Sequence, residues 1–372
     1  MNNLDAFIGL LLFMAGAPAL VLQFTPNDVR HILLKNKSDK WKFIANLYWP
    51  AVVGVGLTLA VFMTINLISC SVQDIYSKWF EVGLLVFLIA LTVCVCVKIL
   101  SYASKRDVVK KQADQAISAH QKTGAMSNDY FENIRLLGRE SKSSGEKLWA
   151  IEAVGQIVSY RLSRNNYAGN EMEAAIDALR GIILEGRQGS SPEIYHKAIE
   201  ILNQIIQKHR ERPGLSQADL RWSLKALSDL GQEAIKFPTP DVTIACINVL
   251  ESSSRPLSPS ASQGLSEIAS VALQEGVILV AMQALNIIGS AVYENGLEDT
   301  KLQEILYDYL GLLGAFWAHG ESAQSIANRD LNDLKAGGKI NLKELVERAI
   351  EHHRETLRFE VADKISTMWS EY

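Results

Sequence analysis

Residues 226–252, ALSDLGQEAIKFPTPDVTIACINVLES, lie over residues 264–290, GLSEIASVALQEGVILVAMQALNIIGS, without a gap at an offset of 38. Leu227 meets Leu265, Ser228 meets Ser266, Asp229 meets Glu267 and Ala234 meets Ala272; further on, Val242 meets Val280, Asn248 meets Asn286 and Ser252 meets Ser290. Apolar residues in both copies recur at the spacing of an amphipathic helix, and almost no stretch alternates as a strand would. Pro238 and Pro240, with Asp241 behind them, divide the first copy into two helices. A period of about 40 residues with two helices per unit is the mark of stacked helical hairpins, none of which can bury its apolar face alone. A more degraded copy is expected from Ala150, where Ile151-Glu152-Ala153-Val154-Gly155 precedes a second helix at Ala174–Leu184.

On these residues the stretch from Lys147 to Ala318 resembles the HEAT and armadillo class of helical repeats, which has no invariant chemical motif. The resemblance implies a curved stack of helix pairs used mainly to bind other macromolecules. Helix punctuation outside the copies agrees. Ser191-Pro192-Glu193 reads as N-cap, first position and acidic first turn. Ser216 and Asp219 have capping-box spacing after Pro213-Gly214. Ser254–Ser262, with Pro256 and Pro259, reads as a longer connection. The repeat domain is expected over 128–338. Residues 339–372 are expected as an amphipathic capping helix or helix pair, with Leu345, Ala349, Leu357, Val361, Ile365 and Met368 on its apolar face. A cap is favoured over self-pairing because terminal repeats need a polar outer surface.

The first hundred residues read differently. Three apolar runs, at about 6–24, 46–69 and 80–101, each come close to the roughly 20 residues that cross a hydrocarbon core. Met1-Asn2-Asn3-Leu4-Asp5 lacks the basic n-region of a signal peptide. Basic residues cluster between the first two runs and after the third, which places both segments on the cytoplasmic side, with the N-terminus outside. The expected fold class is therefore all-α: three transmembrane helices in a membrane domain at 1–102, a helical stalk at 103–127, and a cytoplasmic α-solenoid of helix-turn-helix repeats. Localisation is expected in the cell (inner) membrane, multi-pass. Gly56, Thr58, Ala60 and Asn66 on the second run are candidates for intramembrane packing or for lining a pore. Arg30, Lys35, Lys37 and Lys42 in the basic loop 25–42, with Lys105 and Arg106 after the third run, are candidates for inner-leaflet contact.

Chemistry is sparse. The 41 acidic against 37 basic residues give a net charge of −4, which argues against a dedicated nucleic-acid binder. None of the four cysteines forms a CxxC pair, so neither a zinc site nor a disulfide framework is expected. No GxxxxGK loop, GxSxG elbow or HExxH occurs; Gly337-Gly338-Lys339 lacks the upstream glycine. His352 and His353 are adjacent on a helix, point about 100° apart, and are read as a solvated face rather than metal ligands. Lys208, His209, Arg210 and Arg212 are read as cations complementing a helix C-terminus. Trp222 and Trp317 are read as core or rim. No catalytic residue, cofactor or metal is expected. The partners expected are membrane lipids, a protein partner and a further copy of the chain, with no nucleic acid. The functional expectation is a membrane-anchored scaffold whose repeat domain binds a protein. The alternative is an oligomeric ion channel or membrane-permeabilising effector gated by that domain.

Overall fold

The computed structural model describes residues 105–372, apart from the short segments 124–126, 142, 165–168, 186–190, 212–216, 238–239, 254–256, 295–299 and 337–340. Among the described residues all regular structure is helical, in 13 helices. They are α1 (Lys105–Thr123), α2 (Asp129–Arg139), α3 (Ser144–Ser163), α4 (Gly169–Leu184), α5 (Pro192–Glu211), α6 (Gln217–Lys236) and α7 (Pro240–Ser252). Then follow α8 (Pro259–Gln274), α9 (Ile278–Glu294), α10 (Thr300–Ala318), α11 (Glu321–Ala336), α12 (Leu342–Glu355) and α13 (Phe359–Glu371). The chain divides into two compact units, Met1–Gln115 and Ala116–Tyr372, and α2 to α13 belong to the second.

Local chemistry starts several of these helices. The Ser143 hydroxyl accepts from the Glu146 amide at the head of α3, and the Ser258 hydroxyl accepts from the Ala261 amide at the head of α8. Such a cap contributes about 1 kcal/mol by satisfying a donor that the helix leaves open. Pro259 occupies the first turn of α8, so the expected long connection 254–262 is shorter than read: Ser258-Pro259 is a cap and first position.

Packing follows a two-row order. Helices α2, α4, α6, α8 and α10 neighbour one another in a first row, α3, α5, α7 and α9 in a second, and consecutive helices pack across. The arrangement is compatible with a helical-repeat solenoid. The internal repeat explains it. Leu227, Leu265, Ala234, Ala272, Val242 and Val280, paired in the alignment, are all buried, whereas Asn248 and Asn286 are both exposed. Each fully buried leucine or isoleucine contributes roughly 2 kcal/mol. Close approach within the first row needs glycine: a Cβ on Gly231 of α6 would lie 2.7 Å from Ile268 Cδ1 of α8. Beyond α9 the order changes, and α11, α12 and α13 all lie against α10. Gly314 of α10 admits α13, since a Cβ there would lie 3.0 Å from backbone atoms of Lys364 and Ile365.

Several expectations are corrected. The fold class of three membrane spans ahead of a solenoid is corrected on its membrane part: among the described residues no helix is long and apolar enough to cross a membrane. The physical reason is visible helix by helix. The 19-residue α10 carries Lys301, Glu304 and Asp308, and the most apolar helix, α9, has only 17 residues. The multi-pass membrane localisation is corrected on the same finding, and what stands is an all-α fold. The expected spans 6–24, 46–69 and 80–101 lie outside the described residues. The degraded repeat copy from Ala150 is out of phase, because it casts α3 as a first helix whereas α3 packs in the second row beside α5. The apolar face read across Leu345 to Met368 breaks at Leu357. There the chain turns between α12 and α13, and Leu357 is exposed.

Candidate functional site

The first row carries charge on its surface, and the charge is spent between neighbours. Arg135 of α2 donates to Glu185 after α4 at 2.8 Å, Arg180 of α4 pairs with Asp229 of α6, and Lys225 of α6 reaches Glu267 of α8 at 2.8 Å. Asp229 and Glu267 occupy equivalent positions in the two copies, so one repeat position accepts a cation from the helix before it each time. Burial alone would raise the Glu267 carboxyl, but hydrogen bonds from Lys225, Ser228 and Gln263 outweigh it and hold the carboxyl below its usual range. The Arg135 guanidinium does the same for Glu185.

The second row presents another surface. Along α9 the residues Leu279, Met282, Gln283, Asn286, Ser290 and Tyr293 follow at helical spacing as one stripe. Leu279 is 81% exposed and Tyr293 52% exposed. No charged residue lies between Ile278 and Tyr293, nor between Asp241 and Glu251 on the adjacent α7. Across the two helices Gln283 Nε2 donates to Asn248 Oδ1 at 3.3 Å. Ile244, Ala245 and Val249 of α7, each half-buried, extend the apolar part. Towards α3 and α5 the same row turns more polar, with Ser159 Oγ donating to Gln204 Oε1 at 3.3 Å. A shallow groove of about 410 Å³ runs there, lined by Ser159, Leu162 and Gln204 with the charged Glu200, Lys208 and Glu211. Chemically, the α7–α9 face offers amide donors and acceptors within an apolar, uncharged surround. That suits a polypeptide surface and offers nothing for phosphate or metal.

The basic cluster at the end of α5 is dispersed by the fold. Lys208 pairs with Glu211 at 2.7 Å, and Arg210 donates to the Ser252 carbonyl at 2.8 Å, covering the C-terminus of α7. Arg212 lies outside the described residues. His209 is buried, with Nε2 4.0 Å from Asp219 Oδ2. Neither atom has a hydrogen-bond partner among the described residues, burial pushes the Asp219 carboxyl up to about 6, with Glu173 adding to it, and burial pushes His209 down. Both shifts favour neutral forms, so the contact is better read as a desolvated neutral pair than as an ion pair.

His353 departs from the expected solvated face. It is fully buried, and its Nε2–H donates to the Tyr307 carbonyl at 3.0 Å, while His352 lies against the Tyr307 ring with 5.0 Å between centroids. Among the described residues no group of three or more His, Cys, Asp or Glu could hold a metal. Trp317 is buried, its indole N–H donating to Glu371 at 2.8 Å, and Trp222 is 37% exposed. Of the expected site residues, Gly56, Thr58, Ala60, Asn66, Arg30, Lys35, Lys37 and Lys42 lie outside the described residues, as does the Lys105 side chain; Arg106 is exposed on α1. The α7–α9 face was not among the expected sites. Its signal lay in the repeat: Leu279 stands where the other copy has Asp241, a mismatch that puts a large apolar side chain at a surface position. No protein-family model matches this chain, and no curated protein sequence does.

Proposed function

We propose that the repeat region is a HEAT- or armadillo-type interaction module that binds a protein partner on the α7–α9 face. One observation carries the reading: a continuous uncharged stripe holds Leu279 and Tyr293 out to solvent on a row whose counterpart has its charges tied up between neighbours. Exposed apolar surface rimmed by polar groups is costly unless something covers it. The shared position of Asn248 and Asn286 supports a role for the amides, since a core contact would not keep both exposed.

The test compares the two rows. Tagged full-length protein and its variants are used to capture binding partners from cells. Leu279→Glu is expected to lose a specific partner by tenfold or more, about 1.4 kcal/mol, while Lys225→Ala on the first row retains it. Equal capture by the two variants would overturn the reading.

A further inference from the structure

The turn between α12 and α13 is not written into its own sequence. From Leu342 to Glu371 no glycine or proline occurs, and most of the residues there are good helix formers. Local preference therefore favours one continuous helix. The break falls at Leu357, whose φ of +61° lies in the left-handed region that favours glycine. The Leu357 amide donates to the Arg354 carbonyl at 3.1 Å and the Arg358 amide to the His353 carbonyl at 2.7 Å, a closure that ordinarily carries glycine where Leu357 stands. On the other side of the turn, Arg358 at the head of α13 makes no side-chain cap among the described residues. Burial does not offset the strain, since Leu357 is 76% exposed and Phe359 56% exposed.

What bends the chain is the seat that α13 finds on α10. Arg358 pairs with the nearly buried Asp308 of α10 at 2.8 Å. Ala362, Ile365 and Met368 of α13 are fully buried. Gly311 and Gly314 of α10 leave room for the seat: a Cβ on Gly311 would lie 2.7 Å from Val361 Cγ1, and one on Gly314 3.0 Å from the backbone of Ile365. Each of these contacts joins α10 to α13 or to the turn, and none requires both partners to lie on one chain. The bond from His353 to the Tyr307 carbonyl holds α12 on α10 separately. If the hinge straightens, Leu357 leaves the left-handed region and stacks one helical turn from Val361. The same movement carries α13 away from its own seat. We infer that two copies of this chain exchange α13, residues 342–371 straightening through Leu357 so that each α13 seats on the α10 of the other copy. A short hinge under strain invites such an exchange. Being reciprocal, it closes at two chains. It remakes the α10–α13 contacts, relieves both copies of Leu357 and brings the two hinges, with their exposed Leu357 and Phe359, beside one another. Against this stands the entropy of joining two chains, so concentration sets the balance. The inference goes beyond the α7–α9 reading and does not depend on it.

The experiment asks which chain each α13 sits on. Full-length protein carrying Gly311→Cys and Val361→Cys places two thiols within reach across the α10–α13 contact. It is held at a series of concentrations just below its urea midpoint, returned to buffer, oxidised and run on a non-reducing denaturing gel. Each single-cysteine variant is the control for the four native cysteines. The expected result is a cross-link within one chain in dilute samples and a covalent two-chain species in concentrated ones. The hinge is tested without added cysteines, by sedimentation after the same treatment. Leu357→Gly suits the turn and weakens a helix, and is expected to lower the two-chain fraction about tenfold or more. Leu357→Ala keeps the cost of the turn and favours the helix, and is expected to hold or raise that fraction. Leu279→Glu, on the α7–α9 face, is expected to leave it unchanged. Cross-links that stay within one chain at every concentration overturn the proposal, as does equal association of the glycine and alanine variants. A two-chain species that Leu279→Glu abolishes also overturns it, because the copies then meet through the α7–α9 face. Loss of partner capture by Leu279→Glu bears on that face alone, so the two readings fail separately.

Discussion

The two helix rows of the repeat region differ in surface where the second row runs over α7 and α9, while its α5 still carries ion pairs such as Lys197 with Glu200. The first row carries Arg135, Arg180, Lys225 and their carboxylates, each spent on the next helix along. The second row, over α7 and α9, carries amides and aliphatic side chains with no charge between Ile278 and Tyr293. A charge consumed within the chain is of little use to a partner. An uncharged apolar stripe is of little use to the chain itself. On the proposed reading the rows divide the work: one holds successive helices in register, and the other is open to a partner. Glycine serves close packing in both rows, since Gly231 admits α8 against α6 and Gly155 admits α5 against α3, and Gly314 admits α13 against α10.

The division breaks most severely at Gly314. A valine there would drive its side chain into the backbone of Lys364 and Ile365, which cannot step aside as a flexible side chain would. Gly314→Val is expected to destabilise the protein by about 3 kcal/mol and to release α13. A change of the same kind on the second-row surface, Asn248→Val, should leave stability within about 0.5 kcal/mol. Urea midpoints for both variants check the contrast; equal losses would mean that the α10–α13 contact tolerates a side chain as well as the exposed α7 surface does.

A comparable effect is expected from acid at the α10–α12 contact. Burial pushes His353 from 6.5 down to about 4, the charges of Arg358 and His352 push the same way, and the bond to the Tyr307 carbonyl partly opposes them. The folded value lies below the unfolded one, so this histidine's contribution is complete above pH 6.5 and is lost as pH falls from 6.5 through 4. At 1.36 kcal/mol per unit the loss approaches about 3 kcal/mol. Buried Asp308 and Asp219 are shifted upward and so act in the opposite sense on acidification. The measurement is accordingly a difference: stability of wild type minus that of His353→Asn, followed from about pH 7 down to about pH 4. The difference should shrink as acid is added, and a flat difference would remove His353 from the account.

How much of this was open to reading from the residues alone depends on the length scale. Helix type and repeat register were readable because both rest on local spacing: Leu227 over Leu265 and Val242 over Val280 are core pairs in the structure as in the alignment. The phase of the third copy was not, since α3 is periodic enough to pass for either row and only its neighbours decide. Leu357 shows the limit most clearly. Its position continues the spacing of Leu345 and Ala349, yet the chain leaves the helix at Thr356, and one left-handed residue reverses the side chain's meaning from core to surface. His353 misled in the other direction: flanked by Glu351 and Arg354 it looks solvated, and only the carbonyl of Tyr307, 46 residues away in sequence, makes its burial tolerable. The uncharged face over α7 and α9 was the least legible, because it is defined by what is missing, a charge, rather than by any motif.

The smallest expected effect is also the sharpest test of the division. Arg180 and Lys225 both pair with Asp229, and Lys225 also reaches Glu267. The Lys225 side chain is 48% exposed, so solvent screens most of its attraction, and Lys225→Ala is expected to cost only about 0.5 kcal/mol. Arg180→Ala, at 29% exposure, should cost somewhat more, up to about 1 kcal/mol. Because the two share Asp229, the double variant should depart from the sum, and the departure should fade as salt is raised to about 1 M, where the screening length falls to roughly 3 Å. Strict additivity at low salt would mean that the ladder is a row of separate pairs. Coupling that salt removes would show that successive repeats are keyed to one another through shared carboxylates, with specificity of register gained from interactions too weak to matter for stability.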